Sequence, residues 1–353
     1  MAPAPASRHT PHTPLGRVAG IAVLLAALVS VVVLAFSWPA ITAEPRDIPV
    51  AIAGPEQAVT ALSAQLGERS DDLFGLQPVA DRDAAVDAIR TRDAVGAIVL
   101  GESPELLTAS AAGASAAVVR QLAEPLQGAL AAQAQAASAA SGQPVAPPTL
   151  VVTDVVPFAE NDANGLGMNA AFFPLLLGGM IGGIAISLLV VGSFRRVLGV
   201  VVYAVVGGVA LTGILQGWFG ALQGDYWLNT AAFTLALAAI AAPIVGFVAL
   251  IGRAGIAVGP VVMMLFANPI SGAALPASYL PGSWGAIGQW FPPGASATLV
   301  RNLSYFPDAD ASGPWLVLAA WAVGGLLLAV IGHFRTAGGA EPDAEAARLP
   351  AAA

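Results

Sequence analysis

Residues able to carry out chemistry are few in this sequence, and their types exclude several classes of protein. The chain has no cysteine and only three histidines, none inside an apolar run, so we expect no thiol nucleophile, no metal site and no bound cofactor. All 14 basic residues are arginine. A P-loop needs a lysine to reach the β- and γ-phosphates of a nucleotide. We therefore expect no enzyme activity here, and any ATP hydrolysis would belong to a partner.

Acidic and basic residues are also missing from the interior of the apolar runs. Proton-coupled carriers usually need an intramembrane carboxylate or histidine as a relay, so the sequence disfavours a proton-driven pump. His333 lies at the end of the last apolar run, where we expect an interfacial residue. The formal net charge of −8 argues against nucleic acid as a partner, because binding to phosphates requires basic residues in excess.

One loop, residues 273–312, combines proline, tryptophan and a lone arginine in a pattern that a solvated connector would not need. Prolines interrupt helices, and aromatic rings prefer the membrane interface. Two interpretations stay open: a re-entrant gate at the outer mouth of a pathway, or a rigid surface cap with an interfacial arginine. We expect that arginine to lie near lipid headgroups or opposite an acid such as Asp225 or Asp308. The candidate gate residues, in the loop and just before it, are Asn268, Pro269, Trp290, Pro292, Pro293, Gly294 and Arg301.

A short turn with two adjacent arginines, Arg195 and Arg196, separates two of the apolar runs. Basic residues in short loops mark the cytoplasmic side of a membrane protein and contact lipid headgroups, and this interpretation is favoured. The functional alternative is an inner coupling turn that contacts a cytoplasmic motor.

Glycines recur at four-residue spacing in the second apolar run, as the pairs Gly178/Gly182 and Gly179/Gly183. Small residues at this spacing let two membrane helices approach closely. We expect these candidate packing residues to serve contacts within one bundle rather than a dimer interface.

The elements that hold these residues are mainly membrane helices. The chain is 57% hydrophobic and only 10% charged, which is too little charge for a soluble surface. Apolar runs long enough to cross a hydrocarbon core of about 30 Å recur along it. We therefore predict an α-helical polytopic membrane protein with six spans and an inserted small α/β extracytoplasmic domain. The predicted spans are 18–37, 169–194, 197–222, 228–251, 254–272 and 313–333.

These runs divide the chain into a cytoplasmic tail (1–17), an anchor helix (18–37), an α/β domain (38–165), a five-span membrane domain (166–333) and a second cytoplasmic tail (334–353). The first run could also be a cleaved signal peptide. It is longer than the apolar core of such a peptide, which favours an uncleaved anchor.

Apolar and amphipathic segments alternate between the first two spans, and this order predicts a small, largely parallel sheet. A long alanine-rich helix over 111–137 should follow the fourth strand, with a kink at Pro125. The expected strands are 48–54, 74–80, 96–101, 106–110 and an extended piece at 149–158.

The distribution of arginine predicts the orientation. With both termini in the cytoplasm, every short inner segment carries arginine and the short outer loops carry only Arg301. The 38–165 domain is then extracytoplasmic. We expect the spans to lie in the lipid bilayer of a bacterial plasma membrane.

The chain resembles the type-2 permeases of ATP-binding-cassette exporters, most closely the branch related to phage-infection proteins. The residues that carry the resemblance are NPISGAALPASYLPGSWGAIGQWFPPGASATLVRNLSYF (268–306) and DAVGAIVLGESPELLTASAAG (93–113), together with the overall layout. The resemblance implies a homodimer or heterodimer, a separate ATPase subunit, and export of hydrophobic or lipid-like cargo. Many such permeases begin with an amphipathic helix that touches the ATPase, which the Pro-rich first segment does not offer.

The sequence thus favours a permease subunit of an exporter. The alternative from a different class is a non-transporting receptor or scaffold of the cell envelope, whose outer domain does the binding.

Overall fold

The computed structural model describes residues 13–69 and 73–337. The tails predicted at 1–17 and 334–353 therefore lie mostly outside the described residues. The first helix, α1 (Leu15–Thr42), includes the predicted anchor run and extends beyond it at both ends. Its only buried residue is Pro39, so α1 offers nearly its whole apolar length to its surroundings.

A small mixed sheet follows α1, and we refer to residues 48–154 as the α/β region. The strands lie in the order β2-β1-β3-β4-β5. β1 pairs in parallel with β2 and β3, and β4 with β5, whereas β3 and β4 are antiparallel. The largely parallel pairing predicted from the alternation is confirmed. The elements are β1 (Ile48–Ala53), α2 (Glu56–Arg69), β2 (Phe74–Pro78), α3 (Arg82–Arg90), β3 (Gly96–Val99), β4 (Glu105–Thr108), α4 (Ala114–Arg120), α5 (Ala123–Ser141) and β5 (Val151–Asp154).

The prediction of a single kinked helix over 111–137 is wrong. The chain forms α4 and α5, with a turn at 121–122 between them. Pro125 lies in the first turn of α5. A proline there loses no helical hydrogen bond, because the first N–H groups of a helix have no partner within it.

The rest of the chain is almost entirely helical. Five helical stretches of the described chain are long and apolar enough to cross a membrane: Leu15–Thr42, Leu166–Leu189, Ser193–Trp218, Tyr226–Ala267 and Ser312–Arg335. The helices that follow the sheet are α6 (Leu166–Leu189), α7 (Ser193–Thr212), α8 (Tyr226–Ile251), α9 (Gly255–Pro260), α10 (Trp284–Gly288), α11 (Pro292–Tyr305) and α12 (Ser312–Ala337).

α8 is the centre of this bundle, and α6, α7, α9, α11 and α12 all contact it. Its burial agrees with its composition, because small and apolar residues cover every face rather than a single stripe. Two helices continue as π-helix: α7 over Gly213–Trp218 and α9 over Val261–Ala267.

The sixth span predicted at 254–272 is not confirmed. Its helical part consists of α9 and the π-helix after it, which are 6 and 7 residues long. At 1.5 Å per residue these cover about 20 Å, well short of a hydrocarbon core. The chain reverses before α9, because Gly255 lies against Phe247 and Gly259 lies against Ile244. We refer to residues 255–267 as the return segment.

The bundle has two distinct ends. The sheet-proximal end holds the first residues of α6, α8 and α12, and residues 268–306 fold onto it. The sheet-distal end holds the turn between α6 and α7 and the turn at 252–254. One continuous cluster of buried apolar residues joins the α/β region to the sheet-proximal end, and it includes Ile89, Ala94, Phe172 and Phe306.

Candidate functional site

The segment 268–306, which contains all of the candidate gate residues, packs its backbone unusually tightly. A Cβ atom on Gly288 would lie 1.8 Å from the carbonyl oxygen of Ile270, and one on Gly294 would lie 2.3 Å from that of Gly288. Contacts this close leave no room for any side chain. Three stretches of backbone therefore meet at these two glycines, and both positions require glycine.

Polar side chains satisfy much of the irregular backbone in this segment. Gln289 donates from Nε2 to the Ser271 carbonyl (2.8 Å) and accepts from Thr298 Oγ1 (2.7 Å). Ser271 Oγ donates to the carbonyl of Asn268 (2.7 Å). These bonds connect the chain around Asn268 and Pro269 to α11. Non-helical backbone at membrane depth requires such internal partners.

Pro292, Pro293 and Gly294 form the first turn of α11 and are buried. Proline suits this position because its fixed φ angle matches a helix start. The loop predicted at 273–312 contains two short helices, α10 and α11. α11 contacts α8, α12 and α6, so it is inserted among the longer helices.

A row of aromatic rings ties α1 to the same end of the bundle. Trp38 on α1 contacts Trp284 at 5.9 Å, and Phe266 contacts both Trp284 and Phe291. Trp290 is 71% exposed. Its backbone carbonyl accepts a hydrogen bond from Trp321 Nε1 at 2.9 Å. Edge-to-face contacts of this kind stabilise aromatic pairs beyond simple burial.

Arg301 lies on α11 and faces a cavity of about 590 Å³ between the α/β region and the sheet-proximal end. Its Nη2 donates to Asn169 Oδ1 at 2.9 Å. The partner is thus a neutral amide on α6 and not Asp225 or Asp308, the acids expected from the sequence. Arg301 Nε is shut off from water and has no hydrogen-bond partner among the described residues.

A second arginine, Arg92, enters the same cavity from the α/β region. Arg92 Nη1 donates to Asn302 Oδ1 on α11, and its guanidinium carbon lies 5.2 Å from the centre of the Phe306 ring. Burial lowers the pKa of Arg92. Burial, and then the positive charge of Arg92, lower the pKa of Arg301 to about 10, against an opposing effect of Tyr305. Because a guanidinium group is not deprotonated in proteins, the burial of these two charges costs free energy.

α11 also carries a polar network that ends on α8. Ser304 Oγ donates to Asn229 Oδ1 (3.4 Å), and Asn229 Nδ2 donates to Gln216 Oε1 (2.9 Å) and to the Gln223 carbonyl (2.8 Å). Tyr305 donates to the Ala221 carbonyl at 2.7 Å. The network links α11, through α8, to the π-helix that follows α7.

The two arginines of the predicted coupling turn behave differently. Arg196 Nε donates to the Val190 carbonyl at 2.8 Å, which closes the C-terminal end of α6. Arg195 is exposed. One arginine therefore has a structural contact, and the other is available on the surface of the sheet-distal end.

Both glycine pairs lie at helix contacts within the chain. A Cβ on Gly179 or Gly183 would lie within 3.0 Å of α8, at Ile240 and Ala241 respectively. Gly182 lies under the ring of Tyr203, whose hydroxyl donates to the Gly178 carbonyl at 2.6 Å. The pairs thus let α6 approach both α7 and α8.

Sequence reasoning missed Arg92, Asn169 and Asn302 as parts of this site. Within α11 a signal was present: Thr298, Arg301, Asn302 and Tyr305 recur at the spacing i, i+3, i+4, i+7, which places polar groups along one face of a helix. Nothing in the sequence links Arg92 to that face, because the contact joins residues 210 positions apart.

Comparison of the chain with known protein families, with curated proteins and with solved structures gave no match. Among the described residues, no three His, Cys, Asp or Glu side chains lie close enough to hold a metal ion. The candidate site is therefore defined by geometry alone: two arginines, their amide partners and the folded-back segment 268–306.

Proposed function

We propose that the chain is the membrane-spanning permease subunit of an ATP-binding-cassette exporter, which moves hydrophobic or lipid-like cargo with a separate ATPase subunit. In this proposal it lies in a bacterial plasma membrane as a homodimer or heterodimer. Residues 254–272, which include the return segment and the non-helical chain after it, make a sixth crossing. Both termini are cytoplasmic, and residues 38–165 lie outside.

The observation that carries the proposal is the segment 268–306, with short helices inserted at one end of an apolar bundle. Interrupted helices and irregular backbone at membrane depth are typical of transporters, where they line cavities and change conformation. The two π-helical stretches add support, since π-bulges are frequent at functional sites. A receptor that used only its outer domain would need none of these features.

The proposal has a direct test in co-purification. The tagged full-length chain is extracted in a mild detergent, and bound proteins are identified. We expect an ATPase with a complete P-loop, and we expect its recovery to fall when Arg195 is changed to Ala. Arg253→Ala is the matched control, because Arg253 is also exposed at the sheet-distal end.

Two results would contradict the proposal that the chain is a permease subunit. One is ATP hydrolysis by the purified chain itself that persists after further purification, because the chain lacks the P-loop lysine. The other is recovery of an extracytoplasmic binding partner with no ATPase, which favours the receptor or scaffold alternative.

A further inference from the structure

The cavity between the α/β region and the sheet-proximal end has an unusual charge balance. Arg92 and Arg301 both line it, and among residues 13–69 and 73–337 no carboxylate oxygen lies within 4.0 Å of either guanidinium group. Two other arginines of the α/β region do have a carboxylate partner. Arg82 pairs with Glu105 at 3.0 Å, and Arg120 with Asp154 at 3.5 Å.

The neutral partners of the two arginines leave most of their donors free. A guanidinium group carries five N–H donors in a fixed plane. Arg92 uses Nη1 on Asn302, Arg301 uses Nη2 on Asn169, and Arg301 Nε has no acceptor in the described chain. An uncompensated, partly desolvated charge is costly, and a bound anion would remove that cost.

Two aspartates also line the cavity and must be counted. Asp47 and Asp310 are both exposed. The Asp310 carboxylate accepts hydrogen bonds from the backbone N–H (2.8 Å) and the hydroxyl (3.0 Å) of Ser312. Both acids thus lie at the solvent side of the cavity, and neither neutralises the arginines farther in.

An apolar cleft of about 240 Å³ adjoins the cavity between α1 and α6. Phe36 of α1 and Phe172 and Phe173 of α6 line it. Asn169 and residues 272–275 line both the cleft and the cavity, so the two spaces share a wall. A cationic cavity beside an apolar cleft matches a molecule with an anionic head and an apolar tail.

We propose that the cavity binds the phosphate headgroup of an anionic amphiphile, whose tail occupies the cleft between α1 and α6. Paired guanidinium groups suit phosphate oxygens because they donate parallel hydrogen bonds. The cavity volume lies within the usual range of about 300–1,000 Å³ for small-ligand sites. The inference goes beyond the proposed function, since it holds whether the amphiphile is transported cargo or a lipid that stays bound.

The test is a binding titration on the full-length chain in a neutral detergent, followed by ligand-dependent thermal unfolding. The probes are a short-chain phosphatidylglycerol, the phosphatidylcholine of equal chain length, and free glycerol phosphate. We expect the anionic lipid to bind at least about tenfold more tightly than either other probe, because only it offers both a net anionic head and a tail.

Variants assign the binding to the proposed groups. Arg92→Gln and Arg301→Gln should each weaken phosphatidylglycerol binding by about tenfold or more, the effect of losing charged hydrogen bonds. Arg82→Gln is the matched control and should bind normally, because Arg82 lies in the same region but has a carboxylate partner. Without ligand, the two cavity variants should unfold at an equal or higher temperature than the wild type, because they remove an uncompensated charge.

Each other outcome overturns part or all of the inference. Equal binding of phosphatidylcholine, or unchanged binding in both cavity variants, rules out the anion site. Equal affinity for glycerol phosphate rules out the lipid source in favour of a soluble phosphate compound. Loss of ligand-free stability in both variants would mean that the arginines are structural. None of these results depends on finding an ATPase, so they can be separated from failure of the exporter proposal.

Discussion

Arginine has opposite surroundings at the two ends of the helix bundle. At the sheet-distal end, Arg195, Arg253 and Arg335 are exposed at helix termini. At the sheet-proximal end, Arg301 and the incoming Arg92 line a cavity with amide partners. Exposed arginines need only water or headgroups, whereas enclosed ones need a specific acceptor. The first set fits the proposed topology, and the second set fits the proposed anion site.

The largest effect should come from substitution of a tightly packed glycine in the segment 268–306. Gly288→Ala at the sheet-proximal end forces its Cβ into the Ile270 carbonyl, and we expect a loss of about 3 kcal/mol or more, in the range of severe single mutations. Gly324→Ala is the matched control within α12, where a Cβ meets nothing within 4 Å. The measurement is the yield and unfolding temperature of detergent-purified protein. Normal stability of Gly288→Ala would mean that the segment 268–306 is not packed as described.

The next largest effect concerns transport. Pro292→Ala combined with Pro293→Ala, and separately Arg301→Ala, should reduce efflux of a fluorescent anionic phospholipid by about tenfold or more, as expected when positioned binding groups are lost. Efflux is normalised to the amount of protein in the membrane. Arg335→Ala at the sheet-distal end serves as the control and should export normally. If both loop variants also export normally, the segment is a cap and not a gate, and the receptor or scaffold alternative gains weight.

A smaller effect separates the two adjacent arginines of the sheet-distal end. Arg196→Ala removes the hydrogen bond to the Val190 carbonyl and should cost about 1 kcal/mol of stability. Arg195→Ala should leave the unfolding temperature unchanged, because that side chain is exposed. Equal losses in the two variants would contradict the assignment of separate roles.

Chemical labelling of the two ends tests which of them faces the outside of the cell. The chain has no cysteine, so single introduced cysteines report without background. In intact cells, Ser283→Cys and Ser141→Cys should react with a membrane-impermeant thiol reagent, and Ser193→Cys should not. None of the three substitutions should change stability measurably. Labelling of the Ser193 site from outside would reverse the proposed orientation.

Much of the fold could be predicted because lipid imposes simple requirements on sequence. A span needs a continuous apolar run, so α1, α6, α7, α8 and α12 were all anticipated near their observed positions. The strands could also be predicted from the sequence, because β1 and β3 are short apolar runs between turns. The sixth span at 254–272 stays a prediction, because composition shows that these residues are apolar but not that α9 and the π-helix after it cover only 255–267.

Only part of the candidate site could be predicted from the sequence, because the rest depends on contacts between distant residues. The prolines, glycines and Arg301 of the segment 268–306 form a local pattern, and a local pattern can be read from sequence. The cavity is made by docking the α/β region against α11, and that contact joins Arg92 to Asn302 across 210 positions. The hydrophobic periodicity of a sequence does not show which residue of one region contacts which residue of another.

The attachment of α1 has one further consequence. α1 meets the bundle only near its C-terminal end, around Trp38 and Pro39, and the rest of its apolar surface is uncovered. Its apolar run, residues 18–37, corresponds to about 30 Å of helix, which matches a typical hydrocarbon core. In a thinner bilayer that run exceeds the hydrocarbon thickness, and a helix with such a mismatch tilts. Since Phe36 forms one wall of the apolar cleft, we expect thinner bilayers to tilt α1 further and change the width of that cleft.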